Sequence, residues 1–216
     1  MSIAPPTTPA GTAPLDVAAL VRAATADDHR NAESRGFITR LMGGELTLAD
    51  YTRYLAQYAW VYEALEARGS RDDDPEVFDP RLARFAAIES DLAALGAADW
   101  RETHPPLPAT AAYTARLREL ADDDVRYLAH HYTRYLGDLS GGQAIAALVS
   151  RHYGATPEQL SFYDFDLGDE GPVRYKRRYR EAMNALALEP AEVDALIDEA
   201  RASFRLNGAI FEALGD

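Results

Sequence analysis

The 216-residue sequence contains no cysteine. That single absence excludes disulfides, thiolate metal sites and a cysteine nucleophile. Basic residues are scarce: 22 Lys plus Arg stand against 35 Asp plus Glu, a formal charge of −13. Phosphate attraction needs net or local positive charge, so this balance argues against non-specific nucleic-acid binding and against docking on anionic lipid. No apolar run is long enough to span a bilayer. The N-terminus lacks a basic stretch followed by an apolar core, so no signal peptide is read and a cytoplasmic location is expected. Several common chemistries leave no trace: there is no HExxH, EF-hand loop, P-loop or dinucleotide fingerprint, no G-x-S-x-G elbow, and no Glu-x-x-His pair of a carboxylate di-iron bundle. No segment sustains the alternation of a strand.

What is present is helical. Hydrophobic residues make up 47% and charged residues 26%, the mix of a globular chain able to build one core. Residues 1–14, rich in Pro, Thr, Ala and Gly, read as a flexible tail, and residues 15–216 as a single all-helical domain. A first helix is expected from Asp16 toward Arg40, ended by Gly43-Gly44. Thr47 and Asp50 have capping-box spacing, and Leu48, Tyr51, Leu55, Tyr58, Tyr62 and Leu65 then recur at the helical period. Asp79-Pro80 opens a third helix carrying Leu82, Phe85, Ile88, Leu92 and Leu95. Further helices are expected over 109–120, 127–153, just after Thr156-Pro157, over 173–187, and from Glu189-Pro190 to Leu214. Seven or eight helices imply an all-α, irregular multi-helix bundle. Monomer is the default state, since no coiled-coil heptads occur.

Three features could carry chemistry. Gly137, Gly141 and Gly142 lie inside a helical stretch, where each glycine costs about 1 kcal/mol against alanine. They mark either a break between two helices or a helix that must pass close to, and bend over, a flat ligand beside Asp138. His29 and Glu33 are four apart and share a helix face. They are either a solvated pair or an imidazole oriented by a carboxylate for a metal. Residues 174–180 hold five basic residues, with Lys176 and Arg180 on one face and Tyr175 and Tyr179 on another. That run is either a solvated basic face or a grip on an anion.

The run from Tyr127 through Tyr132, Arg134, Gly137, Asp138, Gly141 and Gly142 to Gln143 closely resembles the signature of the heme oxygenases. His29-x-x-Ala32-Glu33 resembles that family's proximal ligand motif. Leu55 to Tyr58 with Val61 to Glu66 is similar to its second helix, Tyr175 to Asn184 to its basic helix, and Phe204 with Asn207 to its last helix. The similarity covers residues 29–214, far more than a single short motif.

The resemblance implies an all-helical fold that holds heme b, as substrate and cofactor, between a proximal and a distal helix. His29 would be the axial ligand of the heme iron, with Glu33 near the back of its imidazole. Gly137, Gly141 and Gly142 would let the distal helix pass close over the porphyrin. Asp138, with Tyr58, Tyr132 and Arg134, would form a distal network that delivers protons. Arg22, Lys176 and Arg180, with Tyr132 nearby, would meet the heme propionates, and Phe204 and Asn207 would complete the binding set. The implied reaction takes heme, molecular oxygen and electrons to biliverdin, carbon monoxide and ferrous iron, with the alpha isomer as the default. Electrons must come from an external donor such as ferredoxin or an NAD(P)H-dependent reductase, because no flavin or nicotinamide motif is present. The chain departs from the family in two places: Arg22 stands where a lysine is frequent, and His131 where many relatives have a small residue. It ends at Asp216 without the membrane segment of animal members, the pattern of a soluble bacterial type. The rival readings are a non-catalytic heme carrier or sensor, a thiamin-degrading relative of the fold (which relies on a cysteine), and a purely structural helical protein.

Overall fold

The computed structural model describes residues 15–33 and 36–215, with Glu33 described in its backbone alone. The tail expected over residues 1–14 lies outside the described residues, as does the side chain of Glu33. Among the described residues the chain is helical throughout, with no strand, as the sequence implies.

The helix expected from Asp16 to Arg40 is instead three: α1 (Val17–Ala24), α2 (Ala26–Glu33) and α3 (Gly36–Gly43). Asp16 caps α1 by accepting from the Ala19 N–H. At Thr25 the backbone departs from helical geometry (φ −104°, ψ 5°), its N–H and hydroxyl both donate to the Val21 carbonyl, and α2 starts beyond it. The capping box at Thr47 and Asp50 is formed in full and starts α4 (Leu48–Glu66). This helix is buried on nearly every side, with Tyr51, Leu55, Tyr62 and Leu65 wholly inaccessible, so it runs through the centre of the molecule.

Asp79-Pro80 opens only a single 3-10 turn, Pro80–Leu82, and the helix proper, α5 (Phe85–Ala94), begins after an extended Ala83. Its N-terminus is capped from another helix: Glu66 of α4 accepts from the Arg84 N–H at 2.6 Å and the Phe85 N–H at 3.1 Å. A short α6 (Trp100–Thr103) and α7 (Pro108–Glu119) lead to α8 (Asp124–Tyr153). The 30 residues of α8 span about 45 Å at 1.5 Å per residue. It continues unbroken through Gly137, Gly141 and Gly142 and stops at Gly154, which adopts φ +70°.

Two 3-10 turns, Pro157–Gln159 and Ser161–Tyr163, connect to α9 (Pro172–Ala185), and α10 (Pro190–Gly215) closes the chain. The long α8 and α10 pack on each other, and α4 packs against α5 and α7. The core is rich in tyrosine: Tyr51, Tyr62, Tyr113, Tyr175 and Tyr179 are all almost completely buried. The hydroxyls of Tyr62, Tyr113, Tyr175 and Tyr179 each find a partner and so thread hydrogen bonds through the interior, whereas that of Tyr51 has none among the described residues.

Candidate active site

A cleft of about 950 Å³ opens between α1 and α2 on one side and α8 and α9 on the other. His29 of α2 lies in its wall, with Phe204 of α10 meeting the imidazole edge-on at 5.5 Å between centroids. Across the cleft α8 presents Tyr132, Thr133, Leu136, Gly137 and Ser140. A Cβ added at Gly137 would meet no protein atom within 4 Å and would project into this space. Helix α8 therefore has one bare backbone position, Gly137, in the wall across from His29.

Cations gather at the cleft rim. Arg22, in the last turn of α1, and Lys176, Arg177 and Arg180 on α9 all line it. The Lys176 ammonium donates to the Ser140 hydroxyl at 3.0 Å. Its pKa is lowered by burial and by the neighbouring Arg180 charge. Burial raises the Tyr132 hydroxyl, which feels both Arg180 and Arg22. Three cations held near one another repel, and an incoming dianion relieves that repulsion. The basic run divides by face: Arg178 is turned away to Asp79 (3.3 Å) and Glu170 (3.1 Å), whereas Arg174 and Arg177 are exposed.

Directly behind the α8 wall lies a polar network. Arg134, with 8% of its surface accessible, donates to Asn207 Oδ1 at 2.7 Å and to the Tyr58 hydroxyl at 3.3 Å through one nitrogen. It donates to the Tyr62 hydroxyl at 3.3 Å through another. The Tyr58 hydroxyl donates to Asn207 Oδ1 at 2.7 Å. The Tyr62 hydroxyl donates to Asp138 Oδ2, and the Arg134 guanidinium lies 3.6 Å from Asp138 Oδ1. Its guanidinium carbon also sits 4.5 Å from the Tyr58 ring centroid. Burial raises the Asp138 carboxyl to about 6, against the pull of Arg134 and the Tyr62 hydroxyl. An acid at that value exchanges protons readily near neutral pH.

The residues singled out from the sequence therefore fall into three groups. His29, Gly137 and Phe204 line the cleft, together with the rim set Arg22, Tyr132, Lys176 and Arg180. Tyr58, Arg134, Asp138 and Asn207 are joined behind it; Asn207 serves this network and is not a cleft-lining residue. Gly141 and Gly142 stand outside the cleft wall. Gly142 is buried on another side of α8, where an added Cβ would come within 3.0 Å of Tyr163 Cδ1, so close packing of Tyr163 explains that glycine. The sequence reading missed Tyr62, the direct partner of Asp138, although it follows Tyr58 by four residues on the same helix. It also missed Thr133. That hydroxyl is 2.6 Å from Ser203 Oγ, which continues through Tyr113 (2.8 Å) and His130 (3.3 Å) to Glu199 (2.9 Å).

A cleft of this volume, with an imidazole in one wall, a glycine in the facing helix and cations at its rim, can admit a large anionic ligand in an all-helical protein. The heme oxygenase family model matches residues 15–213. Heme oxygenase 1 of Gallus gallus is 35% identical over 92% of this chain and 70% of its own length. Heme oxygenase 1 of Nostoc is 33% identical over 90% of this chain and 84% of its own. Among solved structures, Synechocystis heme oxygenase-1 in complex with heme superposes with a TM-score of 0.86 at 31% identity, covering 93% of this chain and 92% of that one. The Leptospira interrogans heme oxygenase gives 0.84 at 31% identity, covering 92% and 100%. The chain belongs to the heme oxygenase family and is a heme oxygenase enzyme of all-α fold. Among the described residues, no helix is long and apolar enough to cross a membrane.

Proposed function

We propose that this enzyme cleaves heme b to biliverdin, the alpha isomer, with carbon monoxide and ferrous iron, using molecular oxygen and electrons from an external donor. The observation that carries the reading is the network from Asn207 and Tyr58 through Arg134 to Asp138, lying behind the α8 wall that holds Gly137 across the cleft from His29. A carrier needs the axial histidine but has no use for a buried acid poised near neutrality.

Bound heme supplies the iron at which oxygen is reduced and the ring carbon that is oxidised. His29, in the α2 wall of the cleft, would hold the iron. Arg22, Lys176 and Arg180 pair with the propionates, and Tyr132 lies beside them, which fixes the ring's rotation in the cleft. Gly137 keeps a Cβ out of the space needed on the α8 side. Asp138, behind the wall, would relay protons toward that side. Tyr62 and Arg134 orient the carboxylate, and Tyr58 and Asn207 orient Arg134. Exposed Arg174 and Arg177 support docking of an acidic electron donor such as ferredoxin, while an NAD(P)H-dependent reductase fills the same role. The enzyme acts as a monomer in the cytoplasm.

The test is one equivalent of heme with oxygen and a ferredoxin–reductase system, followed by absorption. Loss of the Soret band with release of biliverdin and carbon monoxide is expected. A heme complex that persists through repeated reduction overturns the reading in favour of a carrier. Unchanged biliverdin yield from Asp138→Ala would remove Asp138 from the proton path.

A further inference from the structure

His131 is absorbed by neither the cleft nor the network behind it. It is 4% accessible and faces α9, where its ring stacks on Tyr179 at 5.7 Å and 11° between planes. Its Nδ1 lies 2.8 Å from the Tyr179 hydroxyl. Three further rings close the cage: Phe78 at 5.2 Å, Tyr135 at 4.6 Å and Tyr127 at 6.1 Å. Burial lowers its pKa to about 3, so the tie to Tyr179 is a neutral hydrogen bond across the working pH range.

Tyr179 lies among the rim cations of its own helix, three residues after Lys176, two after Arg177 and one before Arg180. Helix α9 is anchored at a few polar points. The Tyr175 hydroxyl donates to Asp79 at 2.9 Å, and Asn184 ties its far end to α1, donating to Asp16 Oδ1 and accepting from the Ala18 N–H, both at 2.9 Å. His131–Tyr179 is the anchor in the middle; with the Lys176–Ser140 bond at 3.0 Å it ties α9 to α8, and it is the buried one of the two. It adjoins Tyr132, whose ring is 6.4 Å from that of Tyr179.

We propose that His131 is a positioning residue that holds α9, through Tyr179, at the distance from α8 that sets Lys176 and Arg180 over the substrate carboxylates, and so selects the in-plane rotation of the bound ring. This rests on the heme oxygenase reading above. A ring rotated in its plane brings a different meso carbon under the α8 wall, so the same tie governs which isomer forms. It acts without touching the substrate.

The test uses the full chain with heme. The ferric cyanide complex is read by proton NMR of the heme methyls, and the isomers of biliverdin by chromatography. Tyr179→Phe removes one hydroxyl, and His131→Phe keeps the ring volume and removes the hydrogen-bonding ring nitrogen. Each is expected to raise the minor methyl set and the minor isomer at least threefold. The double variant is expected to go no further than either single, since one bond is lost in all three. His131→Asn, which keeps a polar atom near the Nδ1 position, is expected to restore most of the wild-type pattern. Unchanged methyl shifts in both single variants overturn the proposal, as does a double variant equal to the sum of the singles. If His131→Phe does not fold, Tyr179→Phe decides alone. A wild-type complex that binds heme without cleaving it would overturn the functional reading, yet the methyl shifts would still test the tie.

Discussion

Asp138 makes the heme-free protein less stable as pH rises. Its carboxyl is 11% exposed and titrates at about 6 in the folded chain, against 3.8 when free. Between those values the folded state binds more protons than the unfolded state, so stability falls with increasing pH across that window. The full effect is 6 − 3.8, or about 2.2 units, at 1.36 kcal/mol each: about 3 kcal/mol, nearly all present by pH 7 and about half present at pH 5. Asparagine at this position cannot ionise. Asp138→Asn also leaves Arg134 without its carboxylate, but that cost does not vary with pH. The gap in unfolding free energy between Asp138→Asn and wild type should therefore move in favour of the variant by about 1.3 kcal/mol from pH 5 to pH 7. Urea unfolding followed by circular dichroism at half-unit intervals measures it. A gap that stays flat, or moves the other way, would refute the raised pKa and with it the role of Asp138 as a proton donor near neutrality.

Other variants test separate parts of the argument. Gly141→Ala should gain about 0.5–1 kcal/mol of stability from helix propensity, because its Cβ meets nothing. Gly142→Ala should lose about 1–3 kcal/mol against Tyr163, and thermal unfolding that ranked the two the other way would sink the packing account. Gly137→Ala should leave the heme-free fold intact while weakening heme uptake, read by Soret titration. Lys176→Ala and Arg180→Ala should each raise the heme Kd roughly tenfold or more, the size of a lost charge-assisted bond, and lower its salt dependence. Burial would raise the Glu199 carboxyl, yet hydrogen bonds from His130 and Arg116 hold it at about 2. Its contribution of about 3 kcal/mol is thus present above pH 4.5 and lost as pH falls toward 2. Glu199→Gln should flatten that part of the acid-unfolding curve.

Local signals in the sequence were reliable where local physics decides the outcome. The Thr47–Asp50 capping box and the helix end expected at residue 153 are determined by residues within one turn of them, and both are formed, the latter on Gly154. Tertiary contacts decided the rest. The first expected helix divides at Thr25, where the backbone leaves helical geometry, but a threonine at that point looks like any other in the chain. The turn at Pro80–Leu82 stops short because α5 takes its cap from Glu66, a residue on another helix that no window around Asp79 contains. Three interior glycines suggested an interruption. Their summed cost is about 3 kcal/mol, and burial along a 30-residue helix packed on α10 outweighs it.

The site shows what helical arithmetic resolves and where it stops. At about 100° per residue, Gly141 lies about 40° round α8 from Gly137, while Gly142 lies about 140° away. One helix face cannot present all three glycines to one ligand, so the spacing already separates Gly142 from Gly137, and Tyr163 occupies the face it leaves. The same spacing puts Arg134 one turn before Asp138 and Tyr62 one turn after Tyr58. What it cannot supply is the relation between helices. Tyr62 reaches Asp138, and Asn207 reaches Arg134, only because α4 and α10 flank α8 at that level. Burial there does two opposite things: it raises Asp138 by desolvation and shortens its distance to the cation that restrains it. The proton affinity of this acid is the residue of that competition, so it belongs to the packing of three helices rather than to the motif that first drew attention to it.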